Sequence, residues 1–167
     1  MDAIASTRDA RAPQSVRMIA WTIYITFAGA VLLLFLPRAF SRWIALVTTT
    51  ATLAISLATL FCHDLDLAHF TTIMRVPWVA ALGMNYHLAV DGISLTLVLV
   101  TSITAVSSVL FSWDVDQRAN EFFFWLLLVV GGSFGVFLSA YWFLLFVFYE
   151  LVIVPKYFLI AIWGSTN

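Results

Sequence analysis

Residues 142–163 read WFLLFVFYELVIVPKYFLIAIW, and this stretch decides the class of the protein. The run is apolar over 22 residues, apart from one acid, Glu150, and one base, Lys156. About 20 such residues cross ~30 Å of hydrocarbon as an α-helix. Strands are excluded because open sheet edges leave backbone groups unsatisfied in lipid. The stretch therefore predicts a transmembrane helix with a carboxyl group near its middle.

The composition of the whole chain agrees with this prediction. The 167 residues are 63% hydrophobic and 10% charged, with a mean hydropathy of +1.01. A soluble domain is about 45–50% apolar and about 25% charged. The formal net charge of −1 gives no electrostatic reason to expect nucleic acid as a partner. The single cysteine, Cys62, excludes an internal disulfide framework.

Five stretches of the chain are long and apolar enough to span a bilayer, and a polar tail over residues 1–17 precedes them. Tryptophans at several span ends suit the headgroup level of a membrane. Asp91 is placed to cap the third span. The sequence predicts an all-α polytopic transmembrane bundle of about five helices. The predicted spans are Met18–Leu36, Trp43–Cys62, Ile93–Ser112, Phe122–Ala140 and Trp142–Trp163.

Small and hydroxylated residues are concentrated in the second, third and fourth spans. Gly131 and Gly135 have the G-x-x-x-G spacing that lets membrane helices approach closely. The second and third spans are rich in Ser and Thr, which either satisfy one another between helices or line a wet path. We favour the structural interpretation for both features.

The loop over residues 63–92 holds four side chains that are common metal ligands: His63, Asp64, Asp66 and His69. They would form a divalent-metal site only if an ordered loop made them converge. A solvated turn between two spans is the simpler interpretation. We therefore predict no metal site in this chain.

Glu150 is the feature that points most directly to a function. It is the ninth residue of its span, about 12 Å from the helix start at ~1.5 Å per residue. A charge at the centre of a bilayer costs at least ~2.5–3.5 kcal/mol on insertion scales. Such a residue is either neutral or ionised beside a cation, and the two states suit proton transfer. The alternative is a protonated glutamate that only joins helices.

Lys156 and Pro155 follow Glu150 on the same helix. Six residues turn a helix by about 600°, so Lys156 and Glu150 lie about 120° apart around the axis and are poorly placed to pair. The long stem of Lys156 can reach toward the membrane surface near Trp163. Pro155 has no N–H, so it leaves a backbone acceptor free one turn after Glu150.

Two motifs resemble one known family. Residues 146–164, FVFYELVIVPKYFLIAIWG, resemble the fifth helix of chain M of bacterial NADH–quinone oxidoreductase, respiratory complex I, whose mitochondrial counterpart is NADH dehydrogenase subunit 4. Residues 86–95, YHLAVDGISL, resemble the loop that enters the third helix of the same family. The order and spacing of the motifs agree, and the resemblance covers residues 18–167.

The resemblance implies an antiporter-like, proton-pumping membrane subunit of an oxidoreductase complex. Glu150 matches a glutamate held to pair with a lysine on a broken seventh helix. The N-terminus would lie on the side to which protons are pumped, in the cell inner (plasma) membrane or the mitochondrial inner membrane. NADH, FMN, iron–sulfur clusters and quinone would be bound by other subunits, since this chain shows no nucleotide, flavin or iron–sulfur motif.

The chain also departs from the family. Lys156 stands where the family has an apolar residue such as Met, so a second base near Glu150 is a candidate for a role in proton transfer. The family has about fourteen helices, so we expect the other helices, with the partner lysine, on a further segment or another chain. The alternatives are a subunit of a cation/proton antiporter or membrane-bound hydrogenase, and a structural membrane subunit that does not pump.

Overall fold

The computed structural model describes residues 14–37, 40–61, 71–79 and 84–164. The described residues include five helices that are long and apolar enough to cross a membrane, which confirms the predicted all-α transmembrane bundle. A two-stranded sheet lies between the second and third helices. The elements are α1 (Gln14–Phe35), α2 (Ser41–Phe61), β1 (Thr71–Val79), β2 (Met84–Val90), α3 (Gly92–Phe111), α4 (Ala119–Leu138) and α5 (Trp142–Trp163).

Within the predicted turn over residues 63–92, the structure instead has β-strands at residues 71–79 and 84–90, which corrects the prediction for these residues. Strands β1 and β2 pair antiparallel, from Thr71 opposite Val90 to Val79 opposite Met84. The register shifts between Thr72 and Met74 and again after Pro77. Each shift breaks the period of two by which a strand is recognised in a sequence, so the hairpin left no clear pattern.

The hairpin is fixed to the bundle at the link between α4 and α5. The backbone N–H of Ala140 donates to the carbonyl of His87 at 3.0 Å. Leu88 forms a β-bridge with Ser139. We call this side of the bundle the hairpin end. The opposite side, where α1 ends, α2 starts and α3 turns into α4, is the turn end.

Asp91 caps α3 at the hairpin end, as the sequence predicts. Its carboxylate accepts hydrogen bonds from the Ser94 backbone N–H at 2.7 Å and from the Ser94 hydroxyl at 2.5 Å. These bonds favour the ionised carboxylate, and they hold the pKa of Asp91 below its usual value. The cap satisfies a donor that would otherwise be unpaired in the first turn of the helix.

Two apolar clusters fill the bundle, one toward each end. The cluster nearer the hairpin contains residues of α1, α3 and α4 together with Leu88 of β2 and Leu144 of α5. The cluster nearer the turn contains residues of α1, α2, α3 and α4. Helices α1, α3 and α4 contribute to both clusters, and α4 is the element against which both α1 and α5 pack. Its fully buried large side chains are Phe123, Leu127, Phe134 and Leu138.

Aromatic side chains hold the helix ends together at the turn end. Trp43, at the start of α2, meets Trp113 edge to face, with ring centroids 5.5 Å apart. The indole N–H of Trp163, the last residue of α5, donates to the carbonyl of Gln117 at 2.9 Å. The end of α5 is therefore bonded to the turn that precedes α4.

Candidate functional site

Helix α5 lies at the edge of the described bundle. Only 17% of its membrane-spanning window is buried, against 33–44% for the other four helices. Glu150 lies at the middle of the span, but it is exposed in the described structure. The prediction of a buried glutamate is therefore wrong for this chain by itself. The reason is that α4 covers the opposite face of α5 and no other described element covers the face that carries Glu150.

Glu150 stands at the rim of an apolar groove between α4 and α5. The groove has a volume of about 390 Å³, and Glu150 supplies its one carboxyl group. Within the described parts of the chain, Glu150 forms no ion pair. The groove is lined by Trp125 and Leu128 of α4 and by Val147, Glu150, Leu151, Val154 and Pro155 of α5.

Two glycines of α4 lie against the face of α5 that turns inward. A Cβ atom at Gly132 would lie 2.5 Å from Val152 Cγ2, and one at Gly135 would lie 2.6 Å from Phe148 Cε1. Phe148 and Val152 are one turn apart and therefore form one ridge of α5. Glu150 lies two residues from each, about 160° around the axis from the ridge. The ridge that enters α4 thus directs Glu150 outward.

The two glycines of the predicted G-x-x-x-G pair face two different helices. Gly135 faces α5, whereas a Cβ at Gly131 would lie 3.3 Å from Thr26 Cβ and 3.4 Å from a ring carbon of Phe27, both on α1. Close packing at glycine is therefore present, but the glycines that serve the α4–α5 contact are Gly132 and Gly135. The sequence did not reveal this division because it does not fix the rotation of α4.

Lys156 is also exposed, and it forms no ion pair within the described ranges. Helix α5 continues through Pro155 to Trp163. Near this point the rings of Trp125 and Phe158 stack, with centroids 4.7 Å apart. The segment of α5 after Pro155 is therefore held to α4 by aromatic contacts, and Lys156 and Glu150 lie on different faces of the helix.

The hydroxyl groups of the second and third helices are mostly bonded within their own helix. Ser56 donates to the carbonyl of Thr52, and Ser102 donates to that of Val98, each at 2.8 Å. The two serine oxygens are also 3.0 Å apart, so either hydroxyl can donate to the other helix in place of its own carbonyl and thereby join α2 to α3. The buried hydroxyls therefore satisfy backbone groups and connect helices, in agreement with the structural interpretation.

A contact between α1 and the hairpin had no signal in the sequence. The hydroxyls of Tyr24 and Tyr86 are 3.3 Å apart. Burial, followed by this hydrogen bond, raises the pKa of Tyr86, so its hydroxyl stays neutral at physiological pH. The predicted loop cluster of His63, Asp64, Asp66 and His69 lies outside the described residues.

The curated relatives that the chain matches include membrane subunits of quinone oxidoreductases. The chain is 40% identical over 161 residues to NADH-quinone oxidoreductase subunit M of Pseudomonas aeruginosa, a match that covers 90% of this chain and 32% of the relative. It is 38% identical over 157 residues to subunit M of Escherichia coli, with coverages of 88% and 31%. It is also 38% identical over 126 residues to NAD(P)H-quinone oxidoreductase chain 4 of a Synechococcus strain, with coverages of 74% and 24%.

Two solved structures share the fold. Respiratory complex I from Thermus thermophilus contains a chain that matches with a TM-score of 0.72 at 23% identity, over 87% of this chain and 29% of that one. A chain of the archaeal membrane-bound sulfane sulfur reductase matches with a TM-score of 0.70 at 18% identity, over 87% and 23%. At these identities the two likenesses establish the fold alone.

No protein-family model matches the chain. It spans about a third of the length of the curated relatives it matches. The sequence identity extends over about nine tenths of the chain, and the helix arrangement agrees with that of a complex I subunit. By sequence and by fold, the chain belongs to the family of membrane subunits formed by subunit M of NADH-quinone oxidoreductase and chain 4 of its NAD(P)H-quinone counterparts.

Proposed function

We propose that this chain is part of a proton-pumping membrane-arm subunit of NADH–quinone oxidoreductase, located in the inner (plasma) membrane of the cell. Glu150 would take part in proton translocation coupled to quinone reduction. The observation that carries the proposal is a carboxyl group at mid-span, at the rim of an apolar groove, on a helix face that no described residue covers.

The electrostatics of Glu150 favour a role that involves a second group. An ionised carboxylate facing hydrocarbon costs at least ~2.5–3.5 kcal/mol, so Glu150 is stable there only if it is neutral, hydrated or paired. A further segment or another chain would supply a partner cation over the exposed face of α5. A cation that approaches Glu150 favours its ionised form, and one that withdraws favours proton uptake. This exchange is the elementary step of a proton relay.

The redox chemistry would take place in other subunits. The proposal assigns NADH, FMN, iron–sulfur clusters and quinone to partner chains. Lys156 has a smaller role in the proposal. It lies about 120° from Glu150 around the helix, so it would change the local field at most.

A second function is supported by the fold. The chain also resembles a subunit of a sulfane sulfur reductase complex, so the arrangement of these helices is not specific to quinone reduction. A subunit of a cation/proton antiporter or membrane-bound hydrogenase would use the same carboxyl. A structural subunit would need only the close packing of α4 against α5.

The test replaces Glu150 by Gln in the assembled complex. Native membrane vesicles are compared for protons taken up per NADH oxidised and for the amount of assembled complex. We expect Glu150→Gln to lower proton uptake while assembly stays normal, and Glu150→Asp to retain part of it. Glu121→Gln is the matched control, because Glu121 lies in the first turn of α4 at the turn end and already pairs with Arg118.

Each result separates the candidates. Normal proton uptake with normal assembly in Glu150→Gln would overturn the proton-transfer role. Loss of the complex in both Glu150→Gln and Glu150→Asp would favour the structural function. Proton uptake that depends on Na⁺ but not on NADH would favour the antiporter.

A further inference from the structure

The position of Glu150 is set by the packing of α5 against α4 rather than by contacts of the Glu150 side chain. Phe148 and Val152 enter notches at Gly135 and Gly132, where not even a single added methyl group fits without movement. Val152 is 6% exposed, and Phe148 packs against the apolar cluster nearer the hairpin. Neither glycine has a positive φ, so the space at these positions is what requires glycine.

We propose that Gly135 and Phe148 are positioning residues, which fix the rotation of α5 and thereby the direction of the Glu150 carboxyl. This inference rests on the proposed function only for its effect on proton uptake. The positional effect itself is independent of what Glu150 does.

The geometry makes this position sensitive to a small change. The Glu150 carboxyl lies about 6 Å from the helix axis, so a rotation of ~20° moves it by ~2 Å. A displacement of ~1 Å is enough to impair a reacting group strongly. A methyl group added at Gly135 meets the side of the Phe148 ring, which must move, and α5 must turn or shift with it.

Labelling of cysteines on either side of Glu150 detects such a rotation. Tyr149 and Leu151 are both exposed and lie about 100° to either side of Glu150. In the full complex with Cys62→Ser, Tyr149→Cys and Leu151→Cys are introduced one at a time and labelled with a lipid-soluble carbene-generating reagent, which reacts with a thiol in hydrocarbon and needs no thiolate. We expect Gly135→Ala to change the two labelling rates in opposite directions, each by more than about twofold, the scale of a modest change in access.

Two further variants make the result specific. Gly131→Ala adds the same methyl group to the same helix, but toward α1, and we expect it to leave both labelling rates unchanged. Adding Phe148→Leu to Gly135→Ala makes room for the methyl group and should restore both rates. If Gly135→Ala does not accumulate, Phe148→Leu alone serves as the test, because a looser ridge also alters the ratio of the two rates.

Proton uptake gives the second readout. We expect Gly135→Ala to lower the protons taken up per NADH several-fold at normal assembly, and Phe148→Leu to rescue it. Unchanged labelling in Gly135→Ala, or equal changes in Gly135→Ala and Gly131→Ala, would overturn the positioning role. Altered labelling in Gly135→Ala would support the positioning role whatever Glu150 does. Normal proton uptake in Glu150→Gln would overturn the proposed function. Failure of the positioning role and failure of the proposed function are therefore distinguishable.

Discussion

Glu150 and Asp91 are two acids of one chain in opposite situations. Asp91 lies just before α3, accepts two hydrogen bonds from Ser94 and is held ionised. Glu150 is at mid-span on an uncovered helix face and has no ion pair among the described residues. The first acid satisfies a helix end, whereas the second is stable in hydrocarbon only if it is neutral, hydrated or paired. Both residues are acids, so residue type alone does not distinguish the helix cap from the candidate proton-transfer group. Their depth in the membrane does distinguish them.

The cap at Asp91 leads to a prediction about stability. Asp91→Ala removes the acceptor for the Ser94 N–H, and we expect the free energy of unfolding to fall by about 0.5–2 kcal/mol. Asp91→Asn keeps an acceptor oxygen and is the control. Thermal unfolding of the purified complex in detergent measures the difference. Equal stability of Asp91→Ala and the unchanged protein would contradict the capping role.

The same cap has a defined pH dependence. The folded pKa of Asp91 is lowered from 3.8, so its contribution to stability is complete above that unfolded value. The contribution is lost as the pH falls through the lower folded pKa. A difference between the unchanged protein and Asp91→Ala should therefore shrink only below about pH 3.8, and a difference that changes near neutral pH would have another cause.

At the scale of elements, the helices were predictable and their rotations were not. Runs of about 20 apolar residues define the five spans, since lipid admits few alternatives. Which face of α4 meets α1 and which meets α5 depends on tertiary contacts of Gly131, Gly132 and Gly135. The groove beside Glu150 could not be predicted for the same reason, because Trp125 and Glu150 are far apart in the sequence. The hairpin was missed because bulges break its alternation.

The serine pair between α2 and α3 gives a prediction at this scale. Each serine also donates to its own helix, so its hydroxyl is satisfied without the other. In a double-mutant cycle of Ser56→Ala and Ser102→Ala, we expect a coupling energy of about 0.6 kcal/mol, the average for such membrane pairs. Proton uptake should stay normal in both variants. A large loss of uptake at normal assembly would instead favour a wet path along these hydroxyls.

At the scale of the whole molecule, one face of the bundle remains open. Helix α5 is the least buried helix, and its exposed face carries Glu150 and the groove. The chain spans about a third of the length of the curated relatives it matches. In the proposed function, a further segment or a partner chain would contact this face.

Orientation in the membrane is a prediction that charge does not decide. The family resemblance implies that the start of α1, and with it the hairpin end, lies on the side to which protons are pumped. With Cys62→Ser as background, Asp116→Cys at the turn end should react with an impermeant maleimide only from the cytoplasmic side. Thr72→Cys in the hairpin should react only from the opposite side. The reverse pattern would show that the assignment is inverted.

The most direct measurement of the central claim is the protonation of Glu150 during turnover. Infrared difference spectra of the complex, recorded with and without NADH and quinone, report carboxyl groups that gain or lose a proton. We predict a carboxylic-acid band that changes on turnover, is absent in Glu150→Gln and persists in Glu121→Gln. Identical difference spectra for the unchanged protein and Glu150→Gln would contradict a role for Glu150 in moving protons.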